Sequence, residues 1–172
     1  MLGFNTYAGP VEETKTFVDG VSCGYSIEAT LPEIVYQTAE FEATGTTNFP
    51  IYARVNNMEV TFKKKGDDKG LKLLVKPTHK PKIVEYRWVQ AVVQQDGTTE
   101  NILCRAVMKC IPNGAPSRNV KVGEIYDNEI KMTVLSYKVY VDNERTNYVD
   151  KLGHNVEVSG MNVWDDIKMK LG

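Results

Sequence analysis

Residues 84–110 read Val-Glu-Tyr-Arg-Trp-Val-Gln-Ala-Val-Val-Gln-Gln-Asp-Gly-Thr-Thr-Glu-Asn-Ile-Leu-Cys-Arg-Ala-Val-Met-Lys-Cys. In the second half every second residue is apolar: Ile102, Cys104, Ala106, Met108 and Cys110. That period of two marks a strand with one buried face. Asp96-Gly97-Thr98-Thr99 separates it from a similar stretch at 84–95, and Asp-Gly between apolar runs is a hairpin signal. Outward from this hairpin the pattern repeats. Val21, Cys23, Tyr25, Ile27, Ala29 and Leu31 are apolar at odd positions, and Met58, Val60 and Phe62 at even ones. Asp142-Asn143-Glu144 reads as a second turn. Two strands change phase: Val84, Tyr86 and Trp88 give way to Val89, Ala91 and Val93, and Ile130, Met132 and Val134 to Leu135, Tyr137, Val139 and Val141. A one-residue flip means either a bulge or burial on both faces, and the sequence leaves the two open.

Two short helices complete the reading. Asp67 or Asp68 caps a helix holding Leu71, Leu74 and Val75 that stops before Pro77. Asn162, with Asp165 three residues on, caps a C-terminal helix whose stripe is Trp164, Ile167 and Leu171. Residues 1–15 are polar and patternless, an arm or frayed end; residues 112–124 read as a loop. The expected fold is mainly β (α+β): an antiparallel β-sandwich or barrel over 16–172, with one short flanking helix and a short C-terminal helix.

The chain has 172 residues, a size for one domain. A compact chain of this mass exposes about 8,500 Å² folded against roughly 28,000 Å² unfolded, so a core forms without disulfides or metals. Lys plus Arg number 21 and Asp plus Glu 22, for a net charge of −1. A nearly neutral chain lacks the basic stripe that phosphate binding needs, and it repels its own copies little. No apolar run approaches the ~20 residues of a membrane span. No signal segment and no Asn-x-Ser/Thr acceptor is seen, and the cysteines are odd in number: Cys23, Cys104 and Cys110. These features point to synthesis in a reducing cytosol with no membrane anchor.

Chemistry is sparse. The chain has no phosphate-binding glycine loop and no zinc-protease, Cys-x-x-Cys or nucleophile-elbow motif. His79 and His154 are the sole histidines; neither has a cysteine at metal-ligand spacing, and the cysteines sit on apolar strand faces. The reading is a non-enzyme without cofactor or metal. Lys63-Lys64-Lys65 reads as a solvated strand end before a phosphate contact, and Trp88 and Trp164 as core or interface before base-stacking platforms. Glu33, Glu40, Glu42 and Glu59 fit either an acidic channel wall or a solvated face.

Residues 31–56 form two extended arms around a tip at Ala43 to Asn48, with Ile34 and Tyr36 on one side of the first arm and Val35 and Phe41 on the other. A long ribbon of weak facial polarity is marginal alone in water and makes sense when another chain covers it. Tyr36, Glu40, Phe41, Glu42, Ala43, Gly45, Phe49 and Tyr52 are therefore the candidate inter-subunit contacts.

The chain also resembles the major tail tube proteins of contractile-tailed phages and R-type bacteriocins. The resemblance lies in Phe17-Val18-Asp19-Gly20-Val21 followed by Ala29-Thr30-Leu31-Pro32-Glu33-Ile34, and in Glu40-Phe41-Glu42-Ala43-Thr44-Gly45. It continues in Tyr137-Lys138-Val139-Tyr140-Val141-Asp142 and in Val158-Ser159-Gly160-Met161-Asn162 with the closing Leu171-Gly172. The family has Asn-Gly at Ser159-Gly160, Asp at Asn162 and Gly-Met at Gly45-Thr46. The resemblance implies homo-hexameric rings stacked into a hollow tube, with the hairpin and N-terminal arm bridging rings. It implies a surrounding sheath protein, tape-measure, baseplate and terminator partners, and passage of DNA or ions without specific binding. It places the protein in a virion tail or a secreted tail-like particle. The competing reading is a soluble β-barrel ligand-binding module, with 31–56 folded over a pocket.

Overall fold

The computed structural model describes residues 6–172. In chain order the elements are β1 (Thr6–Val18), β2 (Val21–Tyr25), β3 (Glu28–Thr30), β4 (Tyr36–Glu42), β5 (Thr46–Val55), β6 (Met58–Lys65) and α1 (Lys69–Val75). They continue with β7 (Lys82–Gln94), β8 (Thr99–Pro112), β9 (Ser117–Arg118), β10 (Asp127–Val141), β11 (Glu144–Asp150), β12 (Asn155–Val158), β13 (Met161–Asn162) and α2 (Val163–Leu171). The Asp-Gly hairpin forms as expected. Gln94 N–H donates to the Thr98 carbonyl at 2.8 Å, and Asp96 accepts from the Thr98 N–H at 2.9 Å. Asp142 and Asn143 both take positive φ, 49° and 63°, the turn that matches strand twist between β10 and β11.

One sheet carries β13-β12-β11-β10-β8-β7-β1-β2 in that order, all antiparallel. Its centre is β10, long enough to serve two partners in succession. Residues 127–134 pair with β6, which pairs in turn with β3, and residues 136–141 pair with β11. The sheet therefore folds over on itself, and the even-numbered apolar residues meet inside. Met58, Val60, Phe62, Ala106, Met108, Cys110, Ile130, Met132 and Val134 are all buried. The expected alternation of β6 and β8 is the core.

The two phase changes have different causes. In β10 Val134 opposes Cys110 while Ser136 opposes Lys109, so Leu135 is the extra residue of a bulge and Tyr137 and Val139 turn back to the core. β7 pairs with β8 without a shift. There Val84, Tyr86 and Val92 lie on one face and Ala91 on the other, and all four are buried. β7 is covered on both sides at Ala91 and Val92, whereas β10 is bulged at Leu135.

Three expectations change. Residues 6–15 are not a frayed arm but the body of β1, paired with β7. Extra residues at Gly9-Pro10 and at Glu12 break the register, which is why no period was legible; residues 1–5 lie outside the described residues. Within 21–31, Cys23 and Ile27 are buried but Val21 and Tyr25 are exposed. Cys23 is an extra residue against β1, and Ser26 at φ 53° ends the strand, so the odd positions do not share one face. Lastly, Lys63-Lys64-Lys65 is not uniformly solvated. Lys63 faces out opposite Glu28 and Glu129, and Lys65 opposite Asp127, but Lys64 is buried.

Lys64 donates to the Cys23 carbonyl at 3.1 Å and pairs with Asp68 at 3.0 Å. Asp68 is the N-cap of α1, accepting from Leu71 N–H at 2.9 Å. At the other end of α1, buried Lys82 donates to the Leu73 and Leu74 carbonyls at 2.6 and 3.2 Å, a cation at the negative end of the helix. Gly70 rests against the Cys23 carbonyl, where a Cβ would overlap backbone. α1 is thus tied to the sheet by polar bonds at both ends and by Leu71 and Leu74 between them.

Burial pushes the Asp68 carboxyl up, but the Leu71 N–H and the Lys64 ammonium outweigh it and hold the group below its ordinary value. A depressed carboxyl contributes stability above its unfolded value near 3.8, and that contribution is lost as pH falls through the folded value. Asp68→Ala is expected to cost about 1 kcal/mol at neutral pH. In urea melts the gap between Asp68→Ala and the parent should narrow below pH 3.8; a gap constant with pH would separate the cap from the ion pair.

Candidate assembly interface

β4 and β5 form a two-stranded ribbon separate from the main sheet. Every residue from Gln37 to Pro50 is exposed. The tip is shorter than expected: Ala43-Thr44-Gly45 make the turn, with Ala43 N–H donating to the Gly45 carbonyl at 3.1 Å, and Thr46 to Asn48 are already strand. Opposed pairs are Gln37 with Ile51, Ala39 with Phe49 and Phe41 with Thr47 on one face. Thr38 with Pro50, Glu40 with Asn48 and Glu42 with Thr46 form the other.

The ribbon therefore has clear facial polarity, contrary to the sequence reading. Ala39, Phe41, Phe49 and Ile51 line one side, and Glu40 and Glu42 stand on the other. Once the turn is fixed at 43–45, period-two counting produces this split; the longer tip hid it. Ala39 and Ile51 share this apolar face with Phe41 and Phe49 and were not among the sequence candidates. Phe41 and Phe49 meet edge to face at 5.7 Å between ring centres, yet each stays more than half exposed. At the base Tyr36 and Tyr52 make a second edge-to-face pair at 5.0 Å. Covering both phenylalanine rings would contribute about 5 kcal/mol per ribbon before association entropy.

Among the described residues the ribbon is anchored only at its foot. Val55 enters the core, and Asn56 N–H donates to the Val35 carbonyl at 2.8 Å. Trp164 Nε1 donates to the Ala53 carbonyl at 3.1 Å, and its ring lies 5.0 Å from that of His154. Asn162 caps α2 as expected, accepting from the Trp164 N–H at 3.0 Å. Trp164 and Ile167 are half-buried, but Leu171 is 79% exposed, so the expected apolar stripe docks only along its first half. A cleft of about 290 Å³ lies at this foot, lined by Gln37, Val55, Val149, His154, Val156 and Trp164. Within 31–56 the stretch 37–50 is exposed, the foot contributes Gln37 and Val55 to the wall of this cleft, and Phe62, Met108 and Met132 are buried in the interior.

The four acidic candidates do not form one cluster. Glu40 and Glu42 share the polar face of the ribbon, whereas Glu33 is exposed in the connection before β4. Glu59 stands on the outer face of β6, near Asn113 at 3.4 Å and opposite Thr133.

All three thiols are buried. Burial pushes Cys110 up to about 12 and raises Cys23 and Cys104 as well, the reverse of an activated nucleophile. His154 packs against Trp164 with the two rings tilted at 51°. Among the described residues no group of His, Cys, Asp or Glu is placed to hold a metal ion. Ellman's reagent should label the native protein far more slowly than the urea-unfolded chain, which releases three equivalents at once; a fast native thiol would reopen the question of catalysis.

Comparison with known proteins fits this geometry. No curated protein matches the chain in sequence. Among solved structures it is similar to a chain of the cryo-EM sheath–tube complex of an extracellular contractile injection system, PVC, in the extended state. That match has TM-score 0.52 and 16% identity, covering 78% of this chain and 93% of the other. It is likewise similar to a chain of the anti-feeding prophage cap, described as the AFP tube terminating cap, with TM-score 0.53 and 15% identity over 78% and 92% of the two chains. The model of the family described as phage tail tube protein FII matches residues 10–172. The chain therefore belongs to the phage tail tube family and is a structural tube subunit.

Proposed function

We propose that copies of this chain assemble into hexameric rings that stack into the inner tube of a contractile tail or tail-like injection particle, with the β4–β5 ribbon as the ring-to-ring bridge. The observation that carries this reading is the bare apolar face of the ribbon, Ala39, Phe41, Phe49 and Ile51, held out from the domain by its foot alone. The surface area agrees. The chain exposes 11178 Å², where a compact monomer of its mass exposes about 8,500 Å². The wholly exposed stretch 37–50 contributes to that surplus. A ribbon of one copy entering a different surface of the next is a heterologous contact, and such contacts build open filaments when they do not close.

The partners that follow are a sheath around the tube, terminator, baseplate and tape-measure proteins along it, and DNA or ions passing through it. The site of action is a virion tail or a released particle, after synthesis in the bacterial cytoplasm. Negative-stain microscopy of the purified protein at high concentration tests the reading: rings and stacked tubes are expected, and a strictly monomeric sample would overturn it.

A further inference from the structure

Six side chains from six strands fall into a single row across the outer face of the main sheet. Tyr25 opposes Lys15, Lys15 opposes Arg87, Arg87 opposes Arg105, Arg105 opposes Tyr140, and Tyr140 opposes Arg145. Directly opposed residues share a face, and the neighbours Thr16, Tyr86, Ala106 and Val139 all point into the core. The row therefore faces outward, with steps of about 4.8 Å between strands. Four of its six members are cations. The chain as a whole is nearly neutral, yet its fold gathers a basic stripe from positions scattered between 15 and 145.

Among the described residues the stripe is not fully balanced. Arg87 pairs with Glu85 at 2.6 Å and Arg145 with Glu157 at 2.9 Å. Lys15 donates to the Tyr25 hydroxyl at 3.1 Å. Arg105 has no carboxylate among the described ion pairs; its guanidinium lies 4.4 Å from the Tyr140 ring, and its Nε is buried without an acceptor. Two arginines directly opposed on neighbouring strands repel, and a buried donor without an acceptor costs more. A sheet that keeps both features leaves room for an acid supplied from outside.

One surface of the same chain supplies acids that form no ion pair among the described residues. Glu40 and Glu42 stand on the polar face of the ribbon, two residues and about 6.6 Å apart, opposite Asn48 and Thr46. Neither appears among the described ion pairs. We propose that the polar face of one copy's ribbon docks on the basic row of another copy, with Glu40 and Glu42 meeting Arg105 and Arg87. This rests on the stacked-tube reading above and names the surface that receives the ribbon. The apolar face then turns away from the row, so each ribbon is held by charge on one side and by apolar contact on the other.

Charge reversal tests it. Arg105→Glu alone, and Glu40→Lys with Glu42→Lys, should each lower pelleted tube at least tenfold at 50 mM salt. The three changes together should restore most of it. Arg105→Gln serves where Arg105→Glu melts early; its remaining assembly should lose the parent's salt dependence. Parent tubes beside Arg105→Glu tubes of equal yield would overturn the inference alone. So would a triple variant no better than its parts, or an Arg105→Glu tube that forms normally but fails to hold a sheath, which would assign the row to an acidic partner protein. A parent that never stacks would overturn the tube reading and this inference with it.

Discussion

A chain in which an Asn-Gly turn replaces residues 38–50, leaving Gln37 opposite Ile51, folds like its parent and forms no tubes. The deleted segment is exposed throughout, so the domain loses almost no burial when it goes. The foot of the ribbon stays intact, because Val55, the Asn56 to Val35 bond and the Trp164 to Ala53 bond all lie outside the deletion. The new turn is the two-residue type that strand twist favours. Melting temperature should therefore move by no more than about 3 °C, the shift expected for a change near 1 kcal/mol in a domain of this size. Stacking should fall to zero, since both the apolar and the acidic face of the bridge are gone. Circular dichroism melts and negative-stain counts on the same sample separate the two effects. Tubes of normal length from this variant would refute the role of the ribbon, and a collapsed melting temperature would show that the ribbon supports the domain.

Phe62→Ala is the converse case. Phe62 is fully buried at the meeting of β6, β7 and β10, with its ring 6.2 Å from that of Tyr86. Truncating such a ring leaves a cavity that the two layers of a folded-over sheet cannot close, and the cost is about 4 kcal/mol. In a domain of this length that is roughly 8–16 °C of melting temperature. Phe41→Ala, an equal truncation on the ribbon, should leave the melt unchanged and weaken stacking. Similar thermal losses from both would mean that the ribbon packs on its own domain in solution.

What the sequence made legible was whatever depends on neighbours in the chain. The alternation of β6 and β8, the Asp96-Gly97 turn, the Asp68 cap and the Asn162 cap are short-range, and each appeared where expected. What stayed hidden depends on pairing. The flips in β7 and β10 look alike as text, but one is two-sided cover and the other a bulge at Leu135, because only the partner strand distinguishes them. β1 carries two register breaks, which erased its period. Lys64 sits in the middle of a basic run, yet it is buried because a backbone carbonyl and Asp68 wait for it across the fold. The ribbon was found by its length and its aromatics, but its two faces emerged only with the position of the turn.

Among the described residues the ribbon meets the body only at Val35, Ala53, Val55 and their neighbours, and this separates two kinds of design freedom. On the assembly role proposed for the ribbon, changes between Gln37 and Pro50, all exposed, should leave folding almost untouched and act on stacking. That stretch can serve as an exchangeable address. Transplanting it, together with its receiving surface, should give tubes that grow only from their own kind, so two such proteins could polymerise side by side without mixing.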